Sequence, residues 1–491
     1  MSLAEIAQQT HIKNATGRSR VPRALVISVG LVGLLVLAVV AVVAFLDLDA
    51  FTPRFEAAAS RALGLDVAVG GRLRIRLLPA LLVTLNDVHI RRHGEDIAAS
   101  KQAALGLDAL PLLRGEVRVS TIRLTDPRVS IVRSAAGALN YENPRASGAT
   151  LPTLRRAHVL LSHATFSYAD QQAGREFLAT DCRLDLHDLN LPGGPRATVM
   201  KRLGLTGDIA CGEMRTQDFN VSDVRLHLDA RDGVFVFDPV AMPLFGATGA
   251  GSIRADFSGA APAYQAKLVV SRFRIEEFFG KLSTAQVAAG AMDFSANVST
   301  RGNTMIEATQ SMDGQISLRG ENLTLHGEDL DERFAKFESS QNFNLVDVGA
   351  LFFAGPFGLV VTKGYNFATI AQGSQSGSDI KTLVSDWRVE GGVAHATDVA
   401  MATRQNRVAL QGRLDFVHRQ FDDVTVALID ANGCTMAQQD VHGTFLHPVM
   451  EQANILVSLG GSALNLLKEV GHLLPDGDCS VFYAGSVAAP P

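Results

Sequence analysis

The chain is 491 residues long, 47% hydrophobic and only 19% charged, with a formal net charge of -5. That composition is too apolar for a disordered chain, and 45 Lys+Arg against 50 Asp+Glu give no basic field that would recruit a nucleic-acid backbone. The length leaves room for roughly two to four compact domains, or for one extended architecture without a single core.

The first element is the run ALVISVGLVGLLVLAVVAVVAFL, residues 24–46, which contains no charge. As a helix rising about 1.5 Å per residue it measures roughly 35 Å, enough to span a bilayer core of about 30 Å. Lys13, Arg18, Arg20 and Arg23 precede it, and Asp47 and Asp49 follow. The positive-inside rule therefore predicts a cytoplasmic N-terminus over residues 1–23, with everything beyond residue 50 across the membrane. The rival reading is a cleaved signal peptide ending near Val42-Val43-Ala44, but the apolar run exceeds the usual length of about 7 to 15 residues.

Residues 51–64 predict a short helix, with Thr52 as cap, Pro53 at the first helical position, a stripe of Phe55, Ala58, Ala59, Ala62 and Leu63, and Gly64 as the stop. In GRLRIRLLPALLVTLNDVHI, residues 71–90, Leu73, Ile75 and Leu77 share one face of a strand and Arg72, Arg74 and Arg76 the other. Pro79 breaks the ladder. After it Leu81, Val83 and Leu85 alternate with Leu82, Thr84 and Asn86. Period-two stretches recur at 116–133, 182–191, 223–240 and 413–430, separated by Asp, Gly, Asn or Pro, where turns are expected. Asp422-Asp423 is one such turn expectation.

Beyond residue 64, helical spacing is confined to about 275–291 and to 450–474, where Leu456, Leu459, Ala463, Leu467, Val470 and Leu474 form one stripe. Low-complexity stretches at 143–150 and 374–379 read as loops. The first divides an N-terminal portion, 47–142, from the remainder, 143–491.

Cys182, Cys211, Cys434 and Cys479 all follow the predicted span, in a compartment that would oxidise them. Four cysteines allow three pairings, and sequence order favours Cys182 with Cys211 and Cys434 with Cys479; buried free thiols are the alternative. His89 with His93, and His442 with His447, lack further ligands at metal spacings. No GxSxG, HExxH, GxGxxG after a strand or GxxxxGK[ST] occurs. The sequence thus predicts neither an enzyme nor a cofactor or metal site.

Taken in order, the membrane segment, LGLDV at 63–67, the strand G-x-L-x-I-x-L-L-P at 71–79 and LNDVHI at 85–90 resemble the N-terminal signature of the AsmA-like family of envelope proteins. Blocks at 232–270, 312–331, 389–423, 441–449 and 479–486 resemble successive parts of the same family, and the stretch from about 140 to 220 resembles it least. The resemblance implies a mainly β protein, an elongated twisted antiparallel sheet curled into an open groove, anchored in the bacterial inner membrane and related to chorein-type bridge-like lipid-transfer proteins. It implies phospholipid and other envelope assembly proteins as partners, and roles in outer-membrane assembly, lipid transport or protein targeting to the membrane. On that reading Leu73, Ile75, Leu77, Leu81, Val83 and Leu85 line a lipid groove while the arginines face water. The competing architecture is an ordinary sandwich, in which a second sheet covers the same side chains.

Overall fold

The computed structural model describes residues 52–76, 81–112, 114, 116, 118–141, 150–151, 153–172, 174–192, 194–195, 200–217, 220–282, 288–326, 329–332, 334, 377–451, 454–455 and 481–490. The predicted membrane span at 24–46 lies outside these residues, as do Leu77, Pro79 and Cys479. Among the described residues no helix is long and apolar enough to cross a membrane.

Helix α1 (Thr52–Leu63) stops where expected, at Gly64, whose φ of 66° suits glycine and whose N–H donates to Ser60 O at 2.8 Å. Its side chains then dock the first strand. Ser60 Oγ accepts from Val67 N–H at 2.9 Å, and Glu56 Oε1 accepts from Val69 N–H at 2.6 Å. The other described α-helices are short: α2 (Ala109–Leu112), α3 (Ile275–Leu282) and α4 (Met305–Gln310).

Strands dominate the rest. The first group is β1 (Asp66–Val69), β2 (Arg74–Arg76), β3 (Leu81–Arg92), β4 (Glu95–Leu107), β5 (Val119–Arg133), β6 (Thr150–Leu151), β7 (Leu154–Asp170), β8 (Arg175–Leu191) and β9 (Gly194–Pro195). The second is β10 (Gly204–Thr216), β11 (Asn220–Arg231), β12 (Val234–Leu244), β13 (Ala247–Asp256), β14 (Ala263–Arg274), β15 (Ala288–Ala289), β16 (Ala291–Arg301) and β17 (Asp313–His326). The third is β18 (Gly377–Glu390), β19 (Val393–Ala402), β20 (Arg407–Asp415), β21 (Gln420–Ile429), β22 (Thr435–Thr444), β23 (His447–Met450) and β24 (Asn454–Ile455).

All but β6 and β9 join one 22-stranded sheet. It begins with β1 and β2 side by side on one edge of β3 and ends with β23 and β24 on one edge of β22; among the described residues the two ends do not pair, and the sheet is not closed into a barrel. Within this sheet every described pairing is antiparallel except that of β5 with β7, which run parallel. The sheet is therefore mixed, not purely antiparallel as expected. The link over residues 134–153 is long enough to return the chain to the starting end, which a parallel pairing requires.

A second difference concerns aspartate. The Asp126-Pro127 pair lies within one continuous strand, β5, and Asp422-Asp423 sits inside β21, not in the turn expected there. In place of turns these positions are bends: Asp87, Asp126, Asp181, Asp188, Asp223 and Asp423 all have φ between 48° and 56°. Asp tolerates this left-handed conformation better than most residues. Each bend shifts the alternation by one, as a bulge does. In β3 the inward set runs Val83, Leu85, then Val88. In β8 Ala179 is followed by Cys182, and in β21 Phe421 is followed by Val424 and Val426, all buried. The bends lie in register across neighbouring strands. Asp181 faces Gly212, which faces Asp223, between the pairs Cys182 with Cys211 and Cys211 with Val224.

The residues predicted as a helix over 450–474 open as strand at β23 and β24, with Asn454 and Ile455 paired to Gln438 and Ala437; residues 456–474 lie outside the described residues. The helix predicted near 275–291 is present as α3, where Ile275 and Phe278 pack against the main core. That core gathers Val270, Met292, Leu318, Trp387, Leu414, Phe421 and their neighbours. A second cluster forms on the opposite face of β18–β21, where Tyr483 and Val487 cover Val384, Ala400, Ala409 and Ala427. Polar contacts hold that C-terminal segment down. Asp398 accepts from Tyr483 Oη and from Ser486 N–H at 3.1 Å, and Arg407 donates to Val487 O at 2.9 Å. Burial and the Asp398 contact push the Tyr483 hydroxyl up from its ordinary value of 10.

Candidate functional site: an apolar ladder across the sheet

Because cross-strand partners share a face, the register shows which side chains form one surface. From Ile75 the partners run Val83, Leu105, Ile122, Val159, Leu186, Gly207, Leu228 and Phe237. They continue through Ile253, Ala266, Val298 and Gly314 to Val389, Ala394, Leu414 and Phe421. A parallel line begins at Leu85 and passes Ala103, Leu124, Leu161, Leu184, Ile209, Leu226 and Val240. Its later members are Gly251, Leu268, Ala296, Ile316 and Trp387. Neither line contains a charged residue. The opposite face is polar over the same strands, as in Asp185, Asp208 and His227, which are successive partners.

The predicted groove residues fall at the start of these lines. Leu73 and Leu85 are buried, and Ile75 and Val83 pack against them. Leu81 is half-buried opposite Leu107. Leu77 is outside the described residues. Arg72, Arg74 and Arg76 are exposed. Sequence reasoning stopped at β3 because alternation fixes a face within one strand but not its partner. The signal that extends it is an apolar residue, a spacer, Asp and another apolar residue, as in LNDV, LTDP, ATDC and VSDV. Each marks the phase slip that keeps the apolar set on one side.

Exposure changes along the face. Val83, Leu105, Ile122, Val159 and Leu186 are half-buried and Ile253 is 41% exposed, whereas Val389 is 1% exposed and Leu414 0%. Between the two regimes lies an apolar cavity of about 160 Å³ lined by Leu244, Phe245, Val270, Phe273, Phe278, Leu318 and Ile380 among others. That is the size of space which accepts a benzene ring or a short piece of hydrocarbon.

Cys182 and Cys211, direct partners across β8 and β10, form a disulfide. Cys434 is also disulfide-bonded, and Cys479 lies outside the described residues. Of the histidines considered from sequence, His89 is engaged by carboxylates: Nδ1 lies 2.9 Å from Asp96 Oδ2 and Nε2 3.1 Å from Asp87 Oδ1. His442 Nδ1 is 3.7 Å from Glu451. His93 occupies a turn with φ of 52°. A His-Asp-His group at 158, 185 and 187, separated in sequence and joined by strand pairing, went unseen.

The AsmA family model aligns with residues 21–192 and 197–352, and the chain belongs to the AsmA family. Membership associates the protein with the cell envelope and outer-membrane biogenesis. The match takes in the stretch from 140 to 220, where the motif resemblance is weakest, and ends at 352, short of the blocks at 389–423, 441–449 and 479–486. Comparison with curated proteins gives no match, and comparison with solved structures gives none either.

Proposed function

We propose that this protein carries or holds phospholipid, with acyl chains lying along the apolar face between β2 and β16 as in an open groove. The observation that supports the reading is the pair of uninterrupted apolar lines from Ile75 and Leu85, the first of them half-buried from Ile75 to Leu186. Such a face lowers the barrier to moving hydrocarbon through water. A sixteen-carbon chain is stabilised by about 0.8 kcal/mol per buried methylene, on the order of 12 kcal/mol in all, so its unaided escape is slow. Of the 22 strands, β1 with β2, β15 with β16, and β23 with β24 share a level, leaving nineteen levels. At about 4.8 Å per level the sheet extends roughly 90 Å along its hydrogen bonds before twist. In this reading residues 24–46 anchor the chain in the inner membrane with its N-terminus in the cytoplasm, the bulk lies in the periplasm, and neither catalysis nor a cofactor is involved.

The second reading is a structural protein that affects targeting to, and assembly in, the outer membrane without carrying lipid. The closed core around Trp387 and Leu414 favours it for the C-terminal part of the sheet. Extraction of the full chain in mild detergent, followed by mass spectrometry of bound lipid, separates the two. Near-stoichiometric phospholipid is expected, and protein free of lipid supports the structural role. Ile75→Asp places a charge on the apolar line at a half-buried position and should abolish lipid retention with the fold intact by circular dichroism. Retention equal to wild type would remove this strand from the groove.

A further inference from the structure

The polar face carries a side-chain cluster that the apolar face does not account for. Alternation along β8 puts Asp185 and His187 on one side, and an irregularity in the β7–β8 register beside the bend at Asp188 brings His158 next to them. His158 Nε2 lies 2.6 Å from Asp185 Oδ1, and His187 Nε2 lies 3.2 Å from the same oxygen. The imidazole rings stack with centroids 4.4 Å apart and planes 25° from parallel. One ligand atom from each residue falls within 4.8 Å of the others. All three side chains are partly exposed, so an ion and its water can reach them.

A tetrahedral ion with bonds of about 2.0 to 2.2 Å holds its ligand atoms roughly 3.3 Å apart; the His187–Asp185 separation of 3.2 Å already matches, and the 2.6 Å hydrogen bond from His158 to Asp185 would open slightly to admit the ion. Two imidazoles and one carboxylate suit Zn²⁺ and its first-row neighbours, whereas Ca²⁺ and Mg²⁺ take oxygen ligands. The surroundings also favour a cation. Asp208 of β10 is the direct cross-strand partner of Asp185, and like charges so placed are unfavourable by themselves. Asp208 is in turn engaged by His227, whose Nδ1 is 2.9 Å from its Oδ1.

We propose that His158, Asp185 and His187 form a binding site for a divalent transition-metal ion, Zn²⁺ first, on the face opposite the apolar lines. Three protein ligands leave the fourth position to water. The ion ties β7 to β8 beside the parallel β5–β7 junction, just as Cys182–Cys211 ties β8 to β10.

The test uses the full chain in detergent, stripped with chelator and titrated calorimetrically with Zn²⁺, with Co²⁺ as a spectroscopic probe. One equivalent of Zn²⁺ should bind, and bound Co²⁺ should show the d–d absorption of a site with imidazole ligands. Combining His158→Gln with His187→Gln should weaken binding by about 100-fold or more, and Asp185→Asn, which keeps the shape, by about 10-fold or more. His227→Gln should change it by less than about threefold. Equal binding by wild type and the double variant, or by wild type and Asp185→Asn should the double variant not fold, would overturn the assignment. So would a wild-type chain that fails to saturate at millimolar Zn²⁺.

Discussion

Val83 and Leu105 near one end of the sheet, and Val389 and Leu414 near the other, stand on one line of cross-strand partners, yet the first pair is half-buried and the second almost wholly enclosed. The strands do not differ in pattern. They differ in what reaches them from elsewhere in the chain. Over β18–β22 the inner face meets Leu330, Phe334, Phe416 and Phe445, while the outer face is covered by the segment around Tyr483 and Val487. Over β3–β8 the described residues supply only small clusters, such as Leu73 with Leu85 and Ala103. Alternation therefore writes the face, and long-range segments decide whether it is a core or a surface for something else.

The comparison breaks most easily at its closed end. Trp387 is 1% exposed and donates from Nε1 to the buried Ser385 Oγ at 2.8 Å. Trp387→Ala should cost about 3 to 5 kcal/mol in denaturant unfolding, whereas Leu105→Ala at the half-open end should cost less than about 1.5 kcal/mol. Equal losses would mean that both ends are packed alike. Next in size is the disulfide. Replacing Cys182 and Cys211 with alanine should cost about 2 to 4 kcal/mol. Hydrogen exchange should accelerate in β7, β8 and β10 and stay unchanged around Trp387, because the bridge supports the end over which the described residues form no second layer.

Much of this was legible in the sequence, for physical reasons that also set the limit. Helix α1 and its glycine stop, the inward set of Leu73, Ile75, Val83 and Leu85 and the exposed arginines are local or obey a period of two, and the Cys182–Cys211 pair follows the order of the cysteines along the chain. The parallel β5–β7 pairing, the cover over β18–β21 and the meeting of His158 with Asp185 and His187 depend on contacts distant in sequence, which periodicity does not encode. The strands at β23 and β24 were misread because an apolar stripe at helical spacing begins beside them. Aspartate misled for a different reason. Its turn propensity and its tolerance of positive φ have one origin, and here the second is used inside strands.

That use can be tested at Asp223, which has φ of 51° between the buried Val221 and Val224. A β-branched residue is strained in this conformation, so Asp223→Val should cost about 1 to 2 kcal/mol. Asp223→Asn keeps the tolerance and should change stability by less than about 0.5 kcal/mol. If valine proved harmless, the bend would not require the left-handed residue, and the phase slip that keeps both apolar lines on one side would need another cause.

The smallest effect belongs to His89, on the polar face at the half-open end. Its pKa is raised above the ordinary 6.5, first by the hydrogen bond to Asp96 and then by Asp87, against some loss of hydration. Asp96 is correspondingly held below its usual range by Arg91 and His89. A raised histidine pKa means that the folded state binds the proton more tightly than the unfolded chain. The contribution is fully present below about pH 6.5 and is lost as pH rises through the folded value. Proton NMR of the His89 ring should therefore show a midpoint above 6.5, and Asp96→Asn should lower it. A midpoint that stays in place would show that the polar face here is set by solvent and not by the cross-strand carboxylate of Asp96.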